Sequence, residues 1–330
     1  MKNRDMSIDL MKSILVIFMI IAHIIQFFPS GSLANLFSEY VNLTTFSGFM
    51  FTFGYVCYKA YVVKAGNGLL KRLMKGFIRT LCAYYVSGIA HTILIENEFS
   101  AETMFDIIVF ERIPNYSEFL LSFAFSYFLI YIWAKFGKKM MEVHYVLITI
   151  LSLLLTYINY DAVNIPLLRV LFGADNTYVC FPILQYMSFF IAGIYLASKD
   201  KVFDKKIMLL SCIGFMVFCL FFVENHIFPR RFPPTLEWIV GGYLFVYIYY
   251  ILCKKFSDCF VKKQILYTIG ANSLVFLVIS NIVIFMFYRC ISERYVYFSA
   301  FERWGLYIGI FVMCMIGSFM WILFVKKYKR

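Results

Sequence analysis

Charge is scarce in this 330-residue sequence: Asp, Glu, Lys and Arg together make up 15% of it, against roughly 25% in soluble domains. Apolar residues fill 62%, and the mean hydropathy is +0.78. A water-soluble chain of this size cannot bury that much apolar surface. Strict alternation of polar and apolar residues is missing too, which excludes the strands of a membrane barrel. Gly/Ser-rich linkers, shifts in composition and internal repeats are absent, so a single membrane domain over 1–330 without a soluble appendage is expected. There are nine cysteines, but no Cys-x-x-Cys occurs, and most of them fall in apolar blocks where cysteine acts as a small hydrophobe. The expectation is no structural disulfide and no metal site. The net charge of +12 is spread over short loops with no basic stripe, finger motif or aromatic RNA-binding signature, which argues against nucleic acid as a partner.

What is present is a series of apolar blocks about 18–25 residues long, the length of a helix that crosses hydrocarbon. They lie at 7–28, 37–58, 77–95, 117–135, 143–160, 181–198, 206–224, 236–253, 265–288 and 304–325. With the N-terminus inside, the inner segments carry 23 Lys and Arg and the outer ones 7, with Lys12 inside the first helix. That asymmetry is the positive-inside signal, and one missed span would destroy it. All seven prolines fall in outer loops or at outer helix mouths. The expected fold is an all-α integral membrane bundle of about ten transmembrane helices with both termini cytoplasmic. The apolar run 7–28 is too long for a signal-peptide core, contains Lys12 and His23, and is followed by no small-x-small site. It reads as a retained helix.

Ionisable groups inside a span are costly, so each one is a candidate site. Asp9 and Lys12 stand in the first turns of the first helix. His23 is roughly 24 Å along it from Ser7, in the outer half of the membrane. At ~100° per residue, Lys12 lies within about 20° of the His23 face and Asp9 within about 40°. One stripe therefore joins an inner acid–base pair to a deep imidazole, the side chain best suited to moving a proton near neutral pH. The plainer reading of His23 is a buried ring bonded to a neighbouring backbone carbonyl. Lys71, Arg72, Lys75 and Arg79 form a second basic cluster at the mouth of the third helix. Ordinary positive-inside charge accounts for some of it, but Arg79 enters an apolar run, and guanidinium pairs well with phosphate oxygens. Outside, His226, Arg230 and Arg231 sit in a proline-stiffened loop (224–235). That loop is either a rigid turn or an acceptor site that His91 joins.

These residues resemble the membrane acyltransferase-3 family. RDMSIDLMKSILVIFMIIAHIIQFF (4–28) is similar to the family's opening, with Arg4, Asp9, Lys12 and His23 in its motif positions and Lys12 in a slot often held by arginine. FSGFMFTFGYVCY (46–58) looks like its aromatic second helix. KRLMKGFIRTLCAYY (71–85) looks like its basic approach to the third, with Arg79 in the arginine slot. FPILQYMSFFIAGIYLA (181–197), RRFPPT (230–235) and IGANSLVFLVISN (269–281) also share the family's look, although Ser280 and Asn281 stand where members often have a histidine.

The resemblance implies acyl transfer across the membrane, from cytosolic acyl-CoA, usually acetyl-CoA, to a sugar hydroxyl of a glycan or glycolipid at the outer face. Arg72, Arg79 and Lys12 would bind the donor. His23 would act as base, with Lys12 and Asp9 beside it, and His226, Arg230, Arg231 and His91 would face the acceptor. No permanently bound cofactor and no metal is expected, and the cytoplasmic membrane of a bacterium is the expected location. The rival reading is a proton-coupled transporter or flippase of a glycan precursor, since intramembrane charge also suits a proton relay. Against it, midplane helix breaks and internal repeats are not evident. A sensor or assembly scaffold and a transferase acting on a sugar amine are the remaining alternatives.

Overall fold

The computed structural model describes residues 5–29, 31–63, 66, 68–158, 160, 163, 165–174, 181–260 and 264–328, the side chains of 134–143, 258 and 260 excepted. Lys2, Arg4, Lys64, Cys180, Lys262, Lys263, Lys329 and Arg330 lie outside the described residues. Twelve α-helices run in chain order among those described: α1 (Met6–Phe27), α2 (Ser32–Cys57), α3 (Leu69–Leu94), α4 (Ala101–Ile108), α5 (Glu118–Leu154), α6 (Pro166–Phe172), α7 (Met187–Lys199), α8 (Lys205–Asn225), α9 (Leu236–Phe260), α10 (Gln264–Ala271), α11 (Ser273–Tyr295) and α12 (Ala300–Tyr328). No described residue is in a strand. Helices close their own backbone hydrogen bonds, as a lipid-exposed chain must.

Both ends of α1 are tied down. Asp5 caps its N-terminus, with Oδ1 accepting from Ser7 N at 3.2 Å. The other carboxylate oxygen, Oδ2, accepts from Lys254 Nζ at 2.7 Å and from the Tyr55 hydroxyl at 2.8 Å. One acid thus joins the start of α1 to the last turns of α2 and α9. At the far end, helix carbonyls lack intrahelical partners. Tyr295 donates to the Phe28 and Pro29 carbonyls at 3.1 and 2.9 Å, and Tyr307 to the Phe28 carbonyl at 2.5 Å. This latches α11 and α12 onto the end of α1.

Two helix contacts approach backbone to backbone. A Cβ at Gly270 of α10 would overlap the Asp9 carbonyl of α1, and Ser13 Oγ bridges this contact by bonding the Asp9 carbonyl at 2.8 Å and the Leu266 carbonyl. Where α2 crosses α7, Gly54 faces the Phe190 carbonyl and Gly193 the Phe51 carbonyl, again with no room for a Cβ. Small residues at such crossings let helices pack without a hydrophobic driving force between them.

The segment read as spans 117–135 and 143–160 is one continuous helical element, α5. It nevertheless folds back. Ser122 Oγ donates to the Phe181 carbonyl at 2.5 Å, and Ser152 Oγ to the Leu184 carbonyl at 2.8 Å. Thirty residues of straight helix would hold these serines roughly 45 Å apart, whereas their two acceptor carbonyls are only three residues apart. The two legs therefore run antiparallel beside the start of α7. Among the described residues, five helices are long and apolar enough to cross a membrane: α1, α8, α9, α11 and α12. Three shorter apolar stretches are the two legs of α5, Glu118–Trp133 and His144–Tyr157, and α7. The remaining long helices, α2 and α3, carry the hydroxyls, amides and bases that face the interior site described below.

Candidate active site

Two cavities lie end to end beside α1. The first, of about 410 Å³, opens toward the lysine-rich end of the bundle. Lys12, Arg72, Lys75 and Arg79 line it, and among the described residues no acid does. The three α3 bases recur at i, i+3 and i+7, so they share one face of the helix. Gly76 and Thr80 lie on the same face. A Cβ at Gly76 would run into the Tyr127 ring, so the glycine lets the aromatic wall close against α3. Asp9 reaches Lys12 at 3.0 Å, and Arg72 lies 5.7 Å from the centre of the Tyr61 ring. Among the described residues no carboxylate comes within ion-pair distance of Lys75 or Arg79. Concentrated, incompletely neutralised cations in a low-dielectric pocket make an anion site, and guanidinium suits phosphate.

The second cavity, about 650 Å³, lies toward the opposite end. His23 lines it together with amide and hydroxyl side chains, among them Gln26, Ser38 and Asn42. Gln26 donates to Ser38 at 2.9 Å and to Asn42 at 3.2 Å, which fixes that wall. Phe46, Phe181 and Phe232 supply aromatic faces. Arg231 lies 4.3 Å from the centre of the Phe232 ring and 5.3 Å from that of Phe181. Its Nε and the Oε2 of Glu118, which lines the same cavity, are buried without a hydrogen-bond partner among the described residues. Polar groups converging on an aromatic-walled cavity form a ligand site rather than a core.

Phe49 and Phe119 line both cavities. They are 8% and 9% exposed, and they flank Phe123 with ring centres 6.3 and 6.4 Å from it. The two chambers thus meet at an aromatic partition. Lys12 and His23, eleven residues apart on one face of α1, lie on opposite sides of it, roughly 16 Å from each other. His23 packs edge-on against Tyr116 at 4.9 Å, and its Nδ1 is 3.1 Å from Asn281 Oδ1.

The sequence matches the family described as Acyltransferase domain over residues 5–323. The chain belongs to this family. No curated protein and no solved structure gives a match. The similarity noted in the acyltransferase-3 motifs thus extends over nearly the whole chain, and the protein is a membrane acyltransferase.

Of the acyltransferase-3 motif residues, Lys12, Arg72 and Arg79 share the first chamber, Asp9 pairs with Lys12, and His23 faces the second. Arg231 joins His23 there. Three other residues read toward the acceptor side stand apart from it. His226 is exposed and caps α8 with a positive φ of 55°. Arg230 is exposed, and its carbonyl holds Thr235 N at 3.0 Å. His91 is buried behind the chamber, its ring 5.9 Å from Tyr116 and its Nδ1 3.5 Å from Glu96 Oε1. Near it, beyond the end of α3, Arg112 bonds both Glu96 and Glu98 and holds the Glu98 carboxyl below its usual range.

Sequence reasoning missed Glu118 and the Phe49–Phe119 pair, and it noted Asn281 only as standing, with Ser280, where family members often have a histidine. An acid opening the fourth apolar block was the available signal for Glu118. Nothing in the sequence distinguishes Phe49 and Phe119 from the other phenylalanines.

Proposed function

We propose that this acyltransferase moves an acyl group, acetyl in the first instance, from cytosolic acyl-CoA to a hydroxyl of a glycan or glycolipid on the far side of the membrane. In this reading the chain crosses the cytoplasmic membrane of a bacterium ten times, counting both legs of α5 and α10–α11 as one passage, and both termini lie at the lysine-rich, cytoplasmic end. The observation that carries the proposal is the pair of chambers: one cationic and open toward the basic end, one polar and aromatic and lined by His23 at the other, with Phe49 and Phe119 common to both.

The phosphates of the donor would lie against Lys12, Arg72, Lys75 and Arg79. The pantetheine arm would follow α1 and pass the aromatic partition, bringing the thioester to His23. The acceptor would stack a sugar face on the phenylalanines of the second chamber, with hydroxyls toward its amides and toward Glu118. His23 Nε2 would take the proton of the acceptor hydroxyl as its oxygen attacks the thioester carbonyl. The new C–O bond forms, the C–S bond breaks, and the departing CoA thiolate recovers the proton from His23. A thioester is already activated for this displacement, and proton transfer by a positioned imidazole contributes about 10²- to 10⁴-fold.

Acetyl-CoA titrated into the purified protein in detergent tests the donor half. Saturable binding, weakened roughly 10-fold or more in Arg79→Ala as a charge-assisted hydrogen bond is lost, is the expected result. Absence of binding by folded wild-type protein would overturn the proposal.

A further inference from the structure

We infer that Asn281 is a positioning residue that fixes His23 in a single tautomer, with the proton on Nδ1 and the Nε2 lone pair free for the acceptor hydroxyl. The inference rests on the acyl-transfer reading only for the purpose of the clamp; the tautomer itself follows from local geometry.

Tyr116 orients the Asn281 amide. Its carbonyl oxygen can only accept a hydrogen bond, and it lies 2.9 Å from an atom of the Asn281 amide. That atom must therefore be the NH2 group, which also lies 2.9 Å from Ser87 Oγ. The amide is then oriented without ambiguity, and its oxygen is the atom 3.1 Å from His23 Nδ1. An amide oxygen carries no proton, so the proton in this contact belongs to His23 Nδ1. Neutral imidazole has one N–H and one lone pair, so Nε2 is left as the base.

The clamp is rigid. Asn281 and Ser87 are both fully buried on neighbouring helices, α11 and α3. Tyr116 holds a left-handed backbone with φ at 63°, and its ring packs against the His23 ring. Residues of α3, α11 and the segment before α5 thus converge to turn one imidazole. A histidine at position 281 would have no second donor to satisfy the Ser87 hydroxyl and the Tyr116 carbonyl together, whereas the asparagine amide has two. This gives the amide at this position a physical reason.

Nitrogen-15 NMR of histidine-labelled protein in detergent reads the tautomer directly. The His23 signal is assigned by its disappearance in His23→Gln. The expected wild-type spectrum shows His23 with Nδ1 protonated and Nε2 unprotonated at neutral pH. Asn281→Leu, close in volume but without hydrogen-bonding groups, should mix the tautomers and lower kcat at least about 10-fold, as loss of an orienting partner does elsewhere, with acetyl-CoA affinity unchanged. A wild-type His23 protonated on Nε2 overturns the inference, and so does an Asn281→Leu protein with unchanged tautomer and full kcat. Should Asn281→Leu not fold, the wild-type spectrum alone decides. The two readings fail separately: an Nε2-protonated His23 in an active enzyme removes the clamp and leaves acyl transfer, whereas an Nδ1-protonated His23 in a protein without transfer leaves the clamp and removes the activity.

Discussion

In the proposed mechanism the chemistry concentrates at His23, and its neighbours make its replacement informative. Glutamine at position 23 keeps a polar side chain beside Asn281 and Tyr116 but cannot shuttle a proton near neutral pH. His23→Gln should lose transfer by about 10²-fold or more while binding acetyl-CoA as tightly as wild type, because the four bases of the donor chamber lie beyond the partition. Paired turnover and titration measurements on the same preparation check both halves. Arg231 is the mirror case. Arg231→Ala is expected to raise KM for the acceptor and leave donor affinity unchanged, since its guanidinium lines only the second chamber. Equal weakening of donor and acceptor would contradict the division into two chambers.

Among the elements, α1 has the most demanding surroundings, because it is held at three places. At its start, burial raises the Asp5 carboxyl, but hydrogen bonds from Lys254, Ser7 and Tyr55 and the Lys254 charge outweigh that and hold it below its ordinary value. A carboxyl depressed by folding stabilises the native state above its unfolded value of about 3.9 and loses that contribution as pH falls through the folded one. Thermal melts in detergent should therefore fall toward acid below about pH 4, and Asp5→Asn should flatten that dependence while lowering the melting temperature at neutral pH. One turn further along, the Gly270 contact against the Asp9 carbonyl leaves no space for a methyl group. Gly270→Ala would push α10 off α1, with an overpacking penalty of about 1–3 kcal/mol, and a lowered melting temperature would register it.

The helical elements that the sequence makes legible are those with a clear period or a clear length. The α1 stripe of Asp9, Lys12 and His23 and the α3 stripe of Arg72 and Arg79 follow from 3.6-residue spacing, and the structure keeps each set on one face. What stays hidden depends on elements far apart in the chain. Asn281 stands out in the sequence only as a departure from a histidine slot, and its partners His23 and Ser87 become visible only when α11 packs against α1 and α3. The return of α5 is legible as two apolar blocks, but their helical continuity is not. The short helices α4 and α6 leave no apolar block of spanning length to announce them.

At the scale of the whole molecule, the arrangement amounts to two chambers in line beside α1 that share Phe49 and Phe119 as their common wall. The cytoplasmic membrane proposed for this protein would carry a voltage, and each elementary charge crossing 100 mV releases about 2.3 kcal/mol. A through-passage holding water and an imidazole would conduct protons continuously. In that reading Phe49 and Phe119 would be an electrical seal as well as a wall between substrates. Reconstituted in liposomes under an imposed potential, the wild-type protein should be proton-tight. Phe49→Ala combined with Phe119→Ala should dissipate the gradient, and His23→Gln in that background should slow the leak. A proton-tight double variant would locate the seal elsewhere along α1. In the proposed mechanism such a seal would set a limit on the enzyme: the acyl arm would have to part the two rings at every turnover and then let them close, so that transfer would run at the risk of discharging the cell.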